Sequence, residues 1–149
     1  MPKQEHGIKW EQAYELGEER IDSQHRKLFA LLDMLIAACE DGSAVEKAHE
    51  ALDFLVDYTV QHFNDEEVLQ LQYGYPDYEI HKQMHDNFKV TVAGLVERFH
   101  DNSSSAELSN DINKIVVRWL VSHIQREDKK IADHIRQSAG TEGVPGKTQ

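Results

Sequence analysis

Seven side chains able to hold a metal fall on the apolar, inward-facing stripes of the chain: His25, His62, Glu66, His81, His85, His123 and Asp128. Imidazole nitrogens and carboxylate oxygens are metal donors, and either is costly to bury unless paired or bound to a cation. One such histidine is readily a hydrogen-bonded core residue; seven such groups are hard to explain as packing. His62 and Glu66 are four residues apart, as are His81 and His85, so each pair faces one way a helical turn apart. His123 and Asp128 are five apart, about 140° around a regular helix. They reach one centre either from adjoining stripes or through a local π turn.

The elements that must position these groups are legible from breakers and period. Asp41-Gly42-Ser43, Tyr73-Gly74-Tyr75-Pro76-Asp77 and the Asp101–Ser105 stretch are turn signals, and Ser105 is placed to cap the fourth helix. Between them run four patterns of steps of three and four. The first is Ile21, His25, Leu28, Leu32, Leu35, Cys39; the second Ala48, Leu52, Leu55, Thr59, His62, Glu66, Leu69, Tyr73. The third is His81, His85, Phe88, Val92, Leu95, Phe99. The fourth is Leu108, Ile112, Val116, Trp119, His123, beside a stripe of Val117, Leu120, Ile124, Asp128, Ile131, Ile135. Short connections make neighbours antiparallel, so the expected fold is all-α: an antiparallel up-down-up-down four-helix bundle with an N-terminal arm. Residues 1–20, with Trp10, Tyr14 and Leu16, read as the arm, 21–137 as the bundle and 138–149 as a flexible tail.

Folding the chain at its turns brings the seven groups to one level. His25 and His62 each lie about 26–30 Å from the first turn, and the His62/Glu66 and His81/His85 pairs match across the second within about one turn. His123 and Asp128 match His81 and His85 across the third. Four helices thus donate to one layer, as in metal-binding bundles. Five imidazoles, two bridging carboxylates and a bridging solvent oxygen fill about eleven of about twelve positions on two octahedral ions. One position stays open for a small molecule. Imidazole-rich, thiolate-free donors suit iron, while zinc or copper also fit by residue type.

Composition narrows the field. With 16 Lys and Arg against 27 Asp and Glu the formal net charge is −11, which disfavours nucleic acid and anionic membrane surfaces. No apolar run is long enough for a membrane span, and no secretory signal is visible, so a cytoplasmic protein without membrane insertion is expected. The single cysteine, Cys39, rules out an internal disulfide framework or a Cys-rich metal site and reads as a small buried hydrophobe.

The joint pattern His25, His62-Phe63-Asn64-Asp65-Glu66, His81-Lys82-Gln83-Met84-His85 and His123-Ile124-Gln125-Arg126-Glu127-Asp128 resembles the hemerythrin family, most of all its single-domain bacterial members. The likeness extends to Ile8-Lys9-Trp10, Ile21-Asp22-Ser23-Gln24-His25 and Gly74-Tyr75-Pro76, covering about residues 8–137. The resemblance implies two Fe ions per chain in a non-haem, oxo- or hydroxo-bridged di-iron centre. His81, His85 and His123 would bind one iron, His25 and His62 the other, with Glu66 and Asp128 bridging. It implies reversible O2 binding at the free position, O2 being held as a hydroperoxide, with Phe63, Trp119 and Leu120 lining the pocket. It makes the chain a carrier, store or deliverer of O2 to a downstream O2-consuming protein, and not an enzyme.

Two other readings use the same centre: an O2 or redox sensor, and a di-iron oxidase or peroxidase. Five histidines against two carboxylates favour binding over oxygen activation, which uses carboxylate-rich sites. The absence of a fused signalling domain in this sequence favours the carrier over the sensor. A ferritin-like site would need Glu-x-x-His on two helices; Glu46–His49 and Glu97–His100 match, but off the apolar stripes. His6, His49, His100 and His134 read as solvated surface, as do Asp65 and Glu67, with Glu67 also placed to support a ligand.

Overall fold

A computed structural model describes residues 9–41, 45–101 and 105–143. Helix α1 is Glu19–Asp41, α2 Val45–Gln72 and α3 Tyr78–Asp101. The fourth rod, α4, covers residues 105–143: α-helical Ser105–Asp111, a π segment Ile112–Val117, α-helical Arg118–His123, a second π segment Ile124–Asp128, then α-helix Lys129–Gly143. The residues at its internal joints keep right-handed helical dihedrals, so the rod is continuous. Helix α1 packs on α2 and on the start of α4, and α2 and α4 each pack on α3. This is the up-down-up-down four-helix bundle the stripes predict, with no strand among the described residues.

The inward stripes build two unlike halves. Away from the α2–α3 turn the core is apolar: Leu32, Leu35, Ile36 and Cys39 meet Leu52, Leu55, Leu95, Phe99, Leu108 and Ile112. Each such fully buried aliphatic or aromatic side chain contributes about 1.5–3 kcal/mol. Toward that turn the interior holds His25, His62, Glu66, His81, His85, His123 and Asp128, all buried.

The α2–α3 turn explains why the two middle helices match in height. Tyr75 N–H donates to the Gln70 carbonyl (2.9 Å) and Gly74 N–H to that of Leu71 (3.2 Å). These paired bonds end a helix through a left-handed residue, here Gly74 at φ +63°. Pro76 then blocks continuation, and α3 restarts within a few residues.

The arm holds itself by aromatic and polar contacts. Trp10, Tyr14 and Phe29 form an edge-to-face trio with centroids 5.0–5.5 Å apart. The buried Asp22 carboxylate accepts from the Leu16 and Gly17 amides at 2.9 and 3.0 Å, and Arg136 donates to the Leu16 carbonyl. A short 3-10 turn, Gln12–Tyr14, lies within the arm, and α1 begins two residues before Ile21. At the other end α4 stays helical to Gly143, past residue 138 where the composition suggests a tail. Ile8, His6 and the tail from 144 onward lie outside the described residues. No helix among the described residues is long and apolar enough to cross a membrane.

Candidate metal centre

All seven groups singled out by spacing meet in one buried layer. Their donor atoms fall into two overlapping sets, Glu66–His81–His85–His123–Asp128 and His25–His62–Glu66–Asp128. Glu66 Oε1 lies 3.0 Å from His81 Nε2 and 3.1 Å from His85 Nε2. Its Oε2 faces the other way, 3.4 Å from His62 Nε2 and 3.7 Å from His25 Nε2. Asp128 divides likewise: Oδ1 is 3.0 Å from His81 Nε2 and 3.1 Å from His123 Nε2, while Oδ2 is 2.9 Å from His25 Nε2. Each carboxylate therefore spans a three-histidine group and a two-histidine group.

The second π segment makes this possible. Lys129 N–H reaches back five residues to the Ile124 carbonyl. This wider turn returns Asp128 to the side of the rod that carries His123, which a regular helix would not do. Of the two routes open for that pair, the π turn is the one the chain takes.

The donor set fits a metal better than it fits itself. Eight buried side-chain nitrogens and oxygens among the described residues lack a hydrogen bond, and five belong to this layer: both His25 nitrogens, His85 Nε2, Glu66 Oε2 and Asp128 Oδ1. Four of the five, all but His25 Nδ1, are near one another but misaligned, as atoms aimed at a shared point would be. His81 Nε2 and His123 Nε2 face each other at 3.1 Å. Two donors about 2.1 Å from one cation and at right angles are about 3.0 Å apart, the spacing of His81 Nε2 and His123 Nε2 and of the carboxylate oxygens facing the three-histidine group. All five imidazoles present Nε2 inward.

Electrostatics points the same way. Burial alone would raise the Glu66 carboxyl, and Asp128 beside it adds to that, yet His25, His81 and His85 hold it well below the usual range. Burial would also raise Asp128, which His123, His25 and His81 hold well below the ordinary value. Burial opposes protonation of His25 and His81, but the two carboxylates outweigh it, pushing them up to about 9 and about 10. For His62 burial prevails and pushes it down to about 4. Two buried anionic carboxylates demand positive charge at this point.

Supporting contacts fix ring orientation. His62 Nδ1–H donates to Gln24 Oε1 (2.7 Å), and Gln24 Nε2–H donates to Asp65 Oδ2 (2.9 Å). His85 Nδ1–H donates to Glu67 Oε2 (2.8 Å). Such partners set the tautomer, leaving Nε2 free as a donor to metal. Glu67 is therefore buried rather than outward. Gln24 carries no sequence signal beyond preceding His25.

Phe63, Trp119 and Leu120 take different places. Phe63 stacks on His85 with centroids 3.8 Å apart, and its centroid is 5.8 Å from that of His62, so it touches both histidine groups. Trp119 stacks on His123 at 4.3 Å and on Phe88 at 3.9 Å. Leu120 is buried one turn before His123. A separate cavity of about 150 Å³ reaches His62 and Glu66 and is lined by Arg20, Ile21, Gln24, Asp65 and Leu69. It abuts the side with fewer histidines.

The remaining candidates lie elsewhere. His49 and His100 pack against each other with tilted rings, centroids 4.3 Å apart, near the far end of the bundle, and no third group of converging donors occurs among the described residues. His49 is half-buried, packed against Phe99 at 4.4 Å, whereas His100 is exposed. His134 is not simply solvated: its Nε2–H donates to the Tyr73 carbonyl (2.7 Å), tying α4 to the α2–α3 turn.

A four-helix bundle whose helices all give histidine or carboxylate donors to one buried layer is a metal-binding bundle. The model for the hemerythrin HHE cation binding domain matches residues 16–135. Bacteriohemerythrin of Stenotrophomonas maltophilia is 33% identical over 129 residues, 85% of this chain and 80% of that protein. Bacteriohemerythrin of Methylococcus capsulatus is 36% identical over 108 residues, 72% of this chain and 80% of its own length. A wild-type hemerythrin crystal structure superposes with a TM-score of 0.75 at 29% identity, covering 86% of this chain and 97% of that one. The chain belongs to the hemerythrin family.

Proposed function

We propose that the protein is a reversible O2 carrier with a non-haem di-iron centre, acting in the cytoplasm and delivering O2 to an O2-consuming protein. The observation that carries this reading is the division of Glu66 and Asp128 between the two histidine groups. Each oxygen of each carboxylate faces its own set of imidazoles, the arrangement two bridged ions require. His81, His85 and His123 would hold one iron, His25 and His62 the other. A ferrous pair held there would supply the electrons that O2 binding needs.

The chain's own residues do the rest. Gln24 and Glu67 hold the His62 and His85 rings with Nε2 inward. Phe63, Trp119 and Leu120 form an apolar wall that keeps bulk water and its protons from the centre. With five neutral imidazoles and two carboxylates, the donor set leaves less negative charge on the metals than carboxylate-rich oxygenase sites do. This favours holding O2 over cleaving it, so no catalytic turnover is expected.

Metal analysis with anaerobic optical spectroscopy tests the reading. About two irons per chain and a spectral change on oxygen exposure that reverses under vacuum are expected. A single metal, or sustained O2 or peroxide consumption on cycling, would reject it.

A further inference from the structure

We infer that the outward face of α4 around Trp119 is the docking site of an acidic one-electron donor protein that returns the centre to its reduced state; this rests on the di-iron reading above. The chain is strongly acidic, yet from Lys114 to Lys130 it carries five Lys and Arg residues and only two acids. One of those acids, Asp128, is buried in the cluster, and the other, Glu127, is paired with Lys130 at 3.4 Å. Lys114, Arg118 and Arg126 are exposed and make no ion pair among the described residues. Arg118 and Arg126 flank a shallow surface hollow of about 350 Å³ with Val117, Val121, Ser122 and Gln125. Unpaired cations around an apolar floor complement a protein surface with a carboxylate ring.

Beside that hollow runs a short aromatic route inward. Trp119 follows Arg118 and precedes Arg126 by seven residues, two turns along the rod. It is partly exposed. Its ring stacks on His123 at 4.3 Å and 12°, and His123 Nε2 stands 3.1 Å from Asp128 Oδ1 inside the cluster. Two stacked rings thus join the basic surface to the metal layer. Charge complementarity placed beside that route points to electron delivery rather than to a passive contact. A nucleic acid fits less well, because a long polyanion would meet the acidic remainder of the surface. In each encounter the donor's reduced flavin or iron–sulfur group loses one electron and one ferric ion becomes ferrous. Two encounters restore the diferrous pair, with charge balanced by proton uptake from solvent.

The test uses oxidised, iron-loaded protein and reduced flavodoxin, an acidic flavin donor, at low ionic strength. In the double variant R118E/R126E the rate at which flavodoxin bleaches the ferric absorption should fall about tenfold or more. In the wild type it should fall as salt is raised. Dithionite, which needs no docking face, should reduce both proteins alike, and K47E on α2 should behave as wild type with flavodoxin. Titration calorimetry with oxidised flavodoxin, which needs no iron, should show affinity lost in R118E/R126E. Equal flavodoxin rates and affinities in wild type and double variant would overturn the docking face. So would a DNA duplex that binds as tightly as flavodoxin and is released by the same substitutions. Failure of dithionite to bleach wild-type protein would reject the di-iron reading instead, and the calorimetric comparison would still decide the docking face.

Discussion

His62 is the sharpest single-residue probe, because the group it shares with His25 has the fewest donors and adjoins the cavity. His62→Ala should lower the iron content from about two per chain toward one and abolish reversible oxygenation; metal analysis and the anaerobic spectrum check both, and a variant that still oxygenates would refute the assignment. Protonation supplies a second test at this scale. In protein stripped of metal, His25 and His81 are raised from 6.5 to about 9 and about 10. Their contribution to stability is therefore full below about pH 6.5 and lost as pH climbs through 9 to 10. Glu66 and Asp128 are depressed, so their share is full above their unfolded values of 4.5 and 3.8 and lost in more acid solution. His62, lowered to about 4, adds a loss as pH falls from 6.5 toward 4. The melting temperature of stripped protein should thus drop between pH 6.5 and 10, whereas iron-loaded protein, whose imidazoles are already deprotonated by metal, should not follow that slope. The seven donors were legible because type, stripe and depth coincide. Gln24 was not, because reaching His62 Nδ1 depends on how α1 and α2 cross, which no spacing within α1 reveals.

At the scale of elements, the stripes define four rods and their antiparallel order, since period and breakers are local properties. The π segments are not local in that sense. Nothing in Ile124-Gln125-Arg126-Glu127-Asp128 disfavours a regular helix, so the wide turn is imposed by what Asp128 must face. Deleting Gln125, which is exposed, leaves His123 and Asp128 four residues apart and should let this stretch revert to α-helix with Asp128 still on the His123 side, about 40° around the rod. The expected result is a chain with near-native far-ultraviolet helicity that still retains both irons, the π turn being only the accommodation of one extra residue; loss of either iron would show that the wide turn itself is needed. The extent of α4 also escaped composition, because Gly140 and Gly143 weaken a helix without ending one that is anchored by Ile131 and Ile135. Gly74 behaves oppositely. Its φ of +63° is required by the α2–α3 turn, and a methyl there would meet no atom within 4 Å. Gly74→Ala should therefore cost about 1 kcal/mol through backbone strain alone, read as a melting temperature lower by a few degrees with the iron spectrum unchanged.

For the molecule as a whole, the two halves of the bundle depend on metal to different degrees. The half built from Leu32, Leu35, Ile36, Leu52, Leu95, Phe99, Leu108 and Ile112 is apolar and holds none of the seven donors. The other half encloses two buried carboxylates and five imidazoles, with unmet hydrogen-bonding capacity at His25, His85, Glu66 and Asp128, groups whose burial is favourable only with compensating charge. Iron removal should therefore act on one end of the rods rather than evenly along them. Native-state hydrogen exchange can see this, since amides report local opening segment by segment. Amides around His25, His62–Glu66, His81–His85 and His123–Ile131 should lose much of their protection in stripped protein. Those around Leu32–Ile36 and Val92–Phe99 should keep most of theirs. Readdition of ferrous iron under anaerobic conditions should restore the first set without changing the second. A uniform loss along all four helices would mean that the metal layer holds the entire bundle together, and that the apolar half, despite its burial, cannot stand without it.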